Sequence, residues 1–169
     1  MALSPPQPTI KTNAPPHSPA RPTATGRNNF EAVQADYAAT GLDGAPGLKA
    51  FDYREDMPAL YAAADLVVSR SGASTVAELA HLRKPSILVP LPASAGDHQR
   101  HNALALAGPG AALCLQEGPD FDAELAAAVR NFTGEPARLA AMAEAFSKAG
   151  IPDGLGAAAA LADIIEKGR

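Results

Sequence analysis

Cysteine and aromatic residues are scarce in this chain of 169 residues, which has one Cys, five Phe and three Tyr. A single cysteine excludes an intramolecular disulfide and a cysteine-based metal site. Cys114 lies in the apolar stretch from Ala111 to Leu115, a setting typical of a structural thiol rather than a nucleophile. Because 47% of the residues are hydrophobic and Ala is abundant, we expect a core of small aliphatic side chains, with helices packed closely on a sheet.

Basic residues are fewer than acidic ones, and long apolar runs are absent from the sequence. Lys and Arg together number 14 against 18 Asp and Glu, which gives a net charge of −4. The basic residues are scattered rather than clustered, which argues against a nucleic-acid partner. No apolar run is long enough to span a bilayer, and the run from Met1 to Leu3 stops at prolines, too short for a signal peptide. We therefore expect a cytoplasmic protein.

The domain organisation follows from length and from the distribution of proline. The chain is long enough for one domain with its own core and too short for both halves of a two-domain enzyme. Met1 to Ala24 contain seven prolines and no apolar periodicity, which predicts an extended or disordered segment. We expect one domain over residues 25–169.

A first polar corner follows the apolar run from Ala64 to Val68. Residues 70–79 read Arg-Ser-Gly-Ala-Ser-Thr-Val-Ala-Glu-Leu, a pattern typical of a buried strand that ends in a small-residue turn and opens a helix. Ser71, Gly72 and Ala73 are small enough for a ligand to approach the backbone, and the unpaired N–H groups of a helix start attract anions. The corner therefore predicts a nucleotide site, with a nucleotide sugar as its ligand.

Glu78 in this corner has two interpretations. Its spacing from Thr75 is that of a capping box, in which Glu78 folds back to cap the start of its own helix. In the other interpretation its carboxylate accepts hydrogen bonds from two ribose hydroxyls, as acidic residues do in dinucleotide sites. The spacing taken alone favours the capping box.

A second polar corner follows the apolar run from Pro85 to Pro90 and a small-residue loop. Residues 97–103, Asp-His-Gln-Arg-His-Asn-Ala, place donor and acceptor side chains at a helix start. His98 there could donate to a diphosphate oxygen, and Gln99 has the donors and the acceptor that sugar hydroxyls require. For either residue alone, a solvated first turn with Asp97 as N-cap is the simpler interpretation. Two such corners in succession indicate one cleft.

The remaining pattern alternates helices with short strands and predicts an α/β fold, a parallel sheet flanked by helices. Helices are predicted over residues 29–40, 56–64, 98–107, 122–131, 136–148 and 157–167, and short strands over residues 47–51 and 111–115.

From about Thr25 to its end the chain resembles the C-terminal, donor-binding domain of the MurG family, in family 28 of the glycosyltransferases. The matching residues are Asp56-Met57 with the helix from Pro58 to Ala64, Asp65 to Thr75 with Glu78, Pro85 to Pro90, His98-Gln99, Asn102-Ala103 and Ile151-Pro152-Asp153. The family adds N-acetylglucosamine from its UDP-linked donor to the lipid-linked muramyl-pentapeptide precursor of peptidoglycan. Its GT-B fold has two Rossmann-like domains. The resemblance implies that this chain is the C-terminal, Rossmann-like half.

The resemblance also implies a set of site residues. The substrate-binding residues are Arg54, Ser71, Gly72, Ala73, Thr75, Glu78, His98, Gln99 and Asn102. In that set Glu78 would bind the ribose, the turn from Ser71 to Thr75 and His98 would lie near the diphosphate, and Gln99 would contact the N-acetylglucosamine hydroxyls. The backbone just before Glu55 would meet the uracil, although Arg54 stands where the family usually has an aliphatic residue. No catalytic residue or cofactor is expected, and no metal is expected because no Asp-x-Asp pair is available to hold a metal against the diphosphate.

Two departures from the family leave the function of the isolated chain open. The glycine-rich loop and first strand of the family's donor domain have no counterpart, and the N-terminal domain, which meets the lipid-linked acceptor and the cytoplasmic face of the membrane, is absent. We therefore expect an inactive chain and an open sheet edge that favours self-association. The alternatives are the donor-binding subunit of a two-subunit N-acetylglucosaminyltransferase and a non-catalytic truncated gene product.

Overall fold

Short parallel strands alternate with helices in the computed structural model, which describes residues 21–92 and 94–148. The strands are β1 (Arg21–Ala24), β2 (Leu48–Phe51), β3 (Val67–Ser69), β4 (Ser86–Leu88) and β5 (Ala112–Cys114). The helices are α1 (Phe30–Ala39), α2 (Met57–Ala63), α3 (Ala73–His81), α4 (His98–Ala107), α5 (Phe121–Gly134) and α6 (Pro136–Lys148), with one 3₁₀ turn at Ala95–Asp97. The predicted helix over residues 157–167 and the matching residues Ile151-Pro152-Asp153 lie outside the described residues.

The described residues fall into two compact units, which divide between Met57 and Pro58. In the first unit β1 and β2 form a parallel pair, with Arg21 opposite Leu48 and Ala24 opposite Phe51.

Strand β1 is a correction to the sequence analysis, which assigns these residues to the extended or disordered segment. The four residues contain Pro22, which has no N–H to donate. Because β1 pairs only with β2 within residues 21–92 and 94–148, its other edge is unpaired there and the missing donor is tolerated. Proline content is therefore a poor guide at this position. The expectation of a single domain from residue 25 onward stays a prediction.

In the second unit three parallel strands lie in the order β3-β4-β5. The register aligns the last residues of the three strands, Ser69, Leu88 and Cys114. Because parallel strands point the same way, the segments that follow β3, β4 and β5 emerge at one edge of this sheet. Open α/β sheets bind ligands at that carboxyl edge.

The core of the second unit forms on both sides of β4. Ile87 and Leu88 are fully buried, and together with Val89 they make β4 the most enclosed strand of this sheet. Helix α5 packs against one side through an apolar cluster of Leu66, Ile87, Val89, Leu113, Leu115, Phe121, Leu125, Ala128, Val129 and Phe132. Leu79 of α3 and Ala103 of α4 are also fully buried. Small and aliphatic residues dominate the core, as the composition predicts.

A lysine fixes the end of α2 in the same unit. The Lys84 ammonium donates to the carbonyls of Ala62 at 2.7 Å and of Ala64 at 3.1 Å, which are among the carbonyls that a helix end leaves without intrahelical partners. A cation at the negative end of a helix is also favourable.

The predicted elements agree with the structure to within a few residues. The helix over residues 98–107 has the predicted bounds, and the strand predicted over residues 47–51 begins one residue later. The parallel, helix-flanked α/β architecture is confirmed. Within the described residues, no helix combines the length and the apolar character needed to cross a bilayer.

Candidate functional site

The first polar corner begins α3 with a glycine. Gly72 is the N-cap residue with extended backbone, and the Val76 N–H donates to the Gly72 carbonyl at 3.0 Å. Thr75 is therefore the third residue of the helix and Glu78 the sixth, so the two do not form a capping box, and no side chain caps this helix. Glu78 is exposed on the helix surface. The capping interpretation, which the spacing alone favours, is wrong.

The turn before α3 is tightly constrained on one side and open on the other. Ser71 is completely buried, whereas a methyl group added at Gly72 would meet no atom within 4 Å. Gly72 has φ −60°, which any residue adopts. The local geometry therefore gives no steric reason for a glycine at this position, and the open space lies where a ligand would reach the first N–H groups of α3.

The second polar corner reaches α4 through two consecutive residues in the left-handed region, Gly96 (φ 57°) and Asp97 (φ 56°). Asp97 is the N-cap residue, as one interpretation has it, but its carboxylate makes no capping hydrogen bond and instead accepts from Arg100 at 3.4 Å. The ring of the exposed His98 lies close to Gly96, since a Cβ at Gly96 would be 3.2 Å from His98 Nε2. Gly96 thus leaves the space that the imidazole occupies.

Hydrogen bonds join the two corners. Ser71 Oγ donates to the main-chain carbonyl of Gln99 at 2.8 Å, and Asn102 Nδ2 donates to the Ser71 carbonyl at 3.1 Å. Gln99 Oε1 accepts from the Leu91 N–H at 3.1 Å, which holds the loop between β4 and α4. The structure thus brings together Ser71, Gln99 and Asn102, three of the residues predicted from sequence. The Ser71 hydroxyl and the Asn102 amide donate to protein groups, so the two residues fix the shape of the site.

Arg70 makes a further connection that sequence reasoning missed. Its Nη2 lies 2.7 Å from Glu117 Oε1, and its Nη1 lies 3.4 Å from the Val89 carbonyl and 3.5 Å from the Pro90 carbonyl. These partners follow β4 and β5, whereas Arg70 itself follows β3. A charged residue after each of the two outer strands of this sheet, β3 and β5, was the available signal, because the segments that follow parallel strands meet at one edge of the sheet.

Tyr61 on α2 is a second residue that the sequence did not single out. Its side chain is buried, and burial raises the pKa of its phenol, as does the nearby negative charge of Glu78. A hydrogen bond with the Thr75 side chain lowers the Tyr61 pKa in the opposite direction. Thr75 therefore has a partner within the protein, and the phenol senses the charge of Glu78.

Arg54 lies in the first unit, close to the end of β2. Its Nε donates to Asp56 Oδ1 at 2.6 Å, its Nη2 pairs with Asp56 Oδ2, and its guanidinium stacks on the Phe51 ring at 4.7 Å from the centroid. This pairing lowers the pKa of the Asp56 carboxyl. Arg54 is therefore held by protein groups, and its predicted role beside the uracil stays a prediction.

The first unit also contains an open cavity of about 460 Å³, lined by residues 26–29 and Tyr53. It lies where the loop after β1 leads into α1, with the Arg27 guanidinium 4.8 Å from the centre of the Tyr53 ring. A strand, loop and helix thus occur ahead of β2, although Gly26 is the one glycine in the loop.

Two further features, an Asp-x-Asp sequence and the single cysteine, lie outside the two polar corners. Asp120 and Asp122 form an Asp-x-Asp sequence at the start of α5, so the expectation that the chain has no such pair is wrong. Within residues 21–92 and 94–148, no group of three or more His, Cys, Asp or Glu side chains is arranged to hold a metal ion. Cys114 is half-buried, and burial raises the pKa of its thiol, which agrees with a structural role.

The fold belongs to the class of parallel α/β folds that bind ligands at the carboxyl edge of the sheet. The profile of the glycosyltransferase family 28 C-terminal domain matches residues 22–157, and the chain belongs to that family.

Particular relatives agree with this class. The chain is 41% identical over 143 residues to a UDP-N-acetylglucosamine--N-acetylmuramyl-(pentapeptide) pyrophosphoryl-undecaprenol N-acetylglucosamine transferase of Solibacter usitatus, covering 85% of this chain and 37% of that protein. A Methylobacterium radiotolerans protein of the same name is 48% identical over 138 residues, or 81% of this chain and 36% of the relative.

A solved structure is similar as well. The crystal structure of Acinetobacter baumannii MurG superposes with a TM-score of 0.61 at 33% identity, over 75% of this chain and 37% of that one. The chain thus spans somewhat more than a third of the length of the relatives that it matches. The family match begins at residue 22, within β1, and therefore includes the strand that the sequence analysis missed.

Proposed function

We propose that this chain supplies the UDP-N-acetylglucosamine-binding part of an enzyme that transfers N-acetylglucosamine to the lipid-linked muramyl-pentapeptide precursor of peptidoglycan. The observation that supports this most directly is the pair of hydrogen bonds between the corners, from Ser71 to Gln99 and from Asn102 to Ser71. They hold the starts of α3 and α4 side by side at the carboxyl edge of the sheet, the region where this class of fold binds nucleotides.

The two helix starts suit the diphosphate of the donor. A helix start presents N–H groups without intrahelical partners and the positive end of the helix dipole. Gly72 leaves the approach to the start of α3 open, and His98 stands exposed at the start of α4. Two helix starts and an imidazole together form a donor set for an anion, in which Gly72, Ala73 and His98 lie closest to the phosphates.

The polar groups beside the helix starts suit the ribose and the sugar. Glu78 is exposed, caps nothing and lies one turn into α3, so its carboxylate is available to accept from the ribose hydroxyls. Gln99 has its Oε1 held by the Leu91 N–H, which orients its Nε2 as a donor to a sugar oxygen. In this proposal Ser71, Thr75 and Asn102 shape the site.

The reaction of the whole enzyme would be an inverting displacement. An acceptor hydroxyl attacks the anomeric carbon and gives its proton to a general base of the N-terminal domain, while the bond to the diphosphate breaks and UDP leaves with the bonding electrons. Negative charge grows on the diphosphate during this step, so preorganised N–H dipoles and His98 lower the barrier by stabilising the leaving group. The lipid-linked acceptor and the cytoplasmic face of the membrane would be met by the N-terminal domain of such an enzyme.

Calorimetric titration of the purified chain tests the donor proposal. We expect UDP-N-acetylglucosamine to bind more tightly than UDP-glucose and UDP-N-acetylgalactosamine. A folded sample that binds none of the three, or all three equally, would contradict the assignment.

Gly72→Ala gives the site-specific version of this test. The added methyl group meets no described atom and needs no change of φ, so the chain should still fold, with a loss of at most about 1 kcal/mol because Ala is a poorer N-cap than Gly. The methyl group would occupy the approach to the phosphates. We expect at least about a tenfold loss of donor affinity, the loss of one charge-assisted hydrogen bond. Gly118→Ala is the matched control, because a Cβ there also meets nothing within 4 Å.

A further inference from the structure

Arg70 and Glu117 connect the ends of all three strands in the second unit. Arg70 follows β3, its Nη1 faces the carbonyls of Val89 and Pro90 after β4, and its Nη2 pairs with Glu117 after β5. The side chain of Arg70 is 48% exposed and that of Glu117 34%. A pair this exposed contributes little to the free energy of folding, so stability alone is a weak explanation for the arrangement.

The position of these contacts is more informative than their energy. Arg70 precedes Ser71, and Pro90 precedes Leu91. Ser71 and Leu91 are both hydrogen-bonded to the same residue, Gln99, through its main-chain carbonyl and its Oε1. The turn before α3 and the loop before α4 are therefore connected in two ways, by the side-chain contacts of Arg70 and by the hydrogen bonds of Gln99. A shift of the Pro90 carbonyl would move the Leu91 N–H and with it the amide of Gln99.

We propose that Arg70, held by Glu117, is a positioning residue that fixes the Pro90–Leu91 segment and so orients the Gln99 amide toward the sugar of the donor. This inference rests on the proposed function for its ligand. The Arg70 guanidinium directs Nη1 and Nη2 toward three protein oxygens, two carbonyls and one carboxylate, which supports a positioning role. Arg70 thus acts through Gln99.

The proposal predicts an unequal effect on two ligands. Gln99 would contact the sugar, and UDP lacks the sugar. Arg70→Gln should therefore weaken UDP-N-acetylglucosamine binding by about tenfold, as expected for one misplaced hydrogen bond to a charged or polar partner, and leave UDP affinity nearly unchanged. Arg70→Lys keeps the charge but not the forked geometry and should restore part of the loss. Arg138→Gln is the matched control, because Arg138 on α6 also forms an exposed 2.7 Å ion pair, with Glu135.

A second readout needs no ligand. Hydrogen exchange of the Leu91 amide, followed by NMR, should become faster in Arg70→Gln relative to the Val89 amide, whose N–H donates to the Ser69 carbonyl at 2.9 Å. Should Arg70→Gln fail to fold, Glu117→Gln gives the same comparison with a milder change. If the parent chain binds neither ligand, the proposed function fails while the Leu91 measurement still tests the positioning role.

Two results would overturn the inference. An equal loss of UDP and UDP-N-acetylglucosamine affinity would make Arg70 a direct ligand of the diphosphate. Unchanged Leu91 exchange in both Arg70→Gln and Glu117→Gln would show that the ion pair positions nothing.

Discussion

Replacement of Glu78 by Gln separates a ligand-binding role from a structural role more cleanly than other changes at this site. Glu78 is exposed, and within the described part of the chain its carboxylate accepts no hydrogen bond and caps no helix. Gln has nearly the same size and helix propensity. The free energy of unfolding should therefore change by less than about 0.5 kcal/mol, the usual range for surface substitutions without such contacts.

The effect on binding should be much larger. If the carboxylate accepts from two ribose hydroxyls, its loss should weaken nucleotide binding by roughly 1–3 kcal/mol, because hydrogen bonds to charged groups are the stronger ones. That range corresponds to about a 5- to 150-fold rise in Kd. Gln keeps one oxygen acceptor and should fall in the lower half of the range, whereas Glu78→Ala should fall in the upper half.

The assay is calorimetry with UDP and with 2′-deoxy-UDP, which lacks one of the two hydroxyls. The deoxy ligand should bind the parent chain more weakly, and the substitution should weaken its binding less than that of UDP, since the two changes remove a shared interaction. Glu124→Gln, at an exposed glutamate on α5, is the control and should alter neither affinity.

An internal reporter checks that the variant keeps its local geometry. The charge of Glu78 raises the pKa of the Tyr61 phenol, so the Tyr61 pKa should be lower in folded Glu78→Gln than in the parent. The reasoning is refuted if that pKa shifts as expected while both ligands bind with unchanged affinity, or if both lose affinity equally.

Four further predictions concern stability and reactivity. Arg83 follows α3 with φ 50°, so Arg83→Gly should stabilise the fold by about 0.5–1 kcal/mol in urea unfolding, as relief of left-handed strain exceeds the added unfolded-state entropy. Ser86 is fully buried and its Oγ has no described partner, so Ser86→Ala should raise the free energy of unfolding by about 1 kcal/mol, and a decrease would indicate a hidden partner. Arg54 lowers the pKa of the Asp56 carboxyl, so the pair should stabilise the fold at pH values above the unfolded-state Asp pKa of about 3.9 and lose this effect as the pH falls. The free energies of unfolding of the parent and of Asp56→Asn should therefore converge in acid. Burial raises the Cys114 pKa, so iodoacetamide should alkylate the folded chain far more slowly than the urea-unfolded chain, and equal rates would disprove a structural thiol.

Several parts of the fold could be predicted from sequence because their signals are local. The helix over residues 98–107 is bounded by a polar start and a Gly108-Pro109-Gly110 turn, and its predicted bounds match the structure. Strand β4 lies within an apolar run bounded by prolines, and it is buried as a central parallel strand requires. Strand β1 could not be predicted, because its four residues have neither apolar character nor alternation and its strand conformation depends on pairing with β2.

The interpretation of Glu78 failed for a related reason. The Thr75 to Glu78 spacing is compatible with a capping box, but the N-cap of this helix is Gly72, three residues before the Thr75 position that a capping box would require. Where a helix begins depends on the turn before it, and that turn is fixed by Ser71, which is buried against α4. Local spacing therefore carries too little information to choose between the two roles.

The sequence by itself determined the alternation of strands and helices, the two polar corners and the likeness to family 28, because periodicity, turn residues and motif order are properties of neighbouring residues. Only the tertiary structure decided that Ser71 and Asn102 bond to protein groups, that Arg70 joins three strand ends, and that Glu78 faces outward. The bonds from Ser71 to Gln99 and from Asn102 to Ser71 join residues 28 and 31 positions apart. Such contacts depend on the register of β3, β4 and β5, since that register brings the segments after the strands to one edge of the sheet.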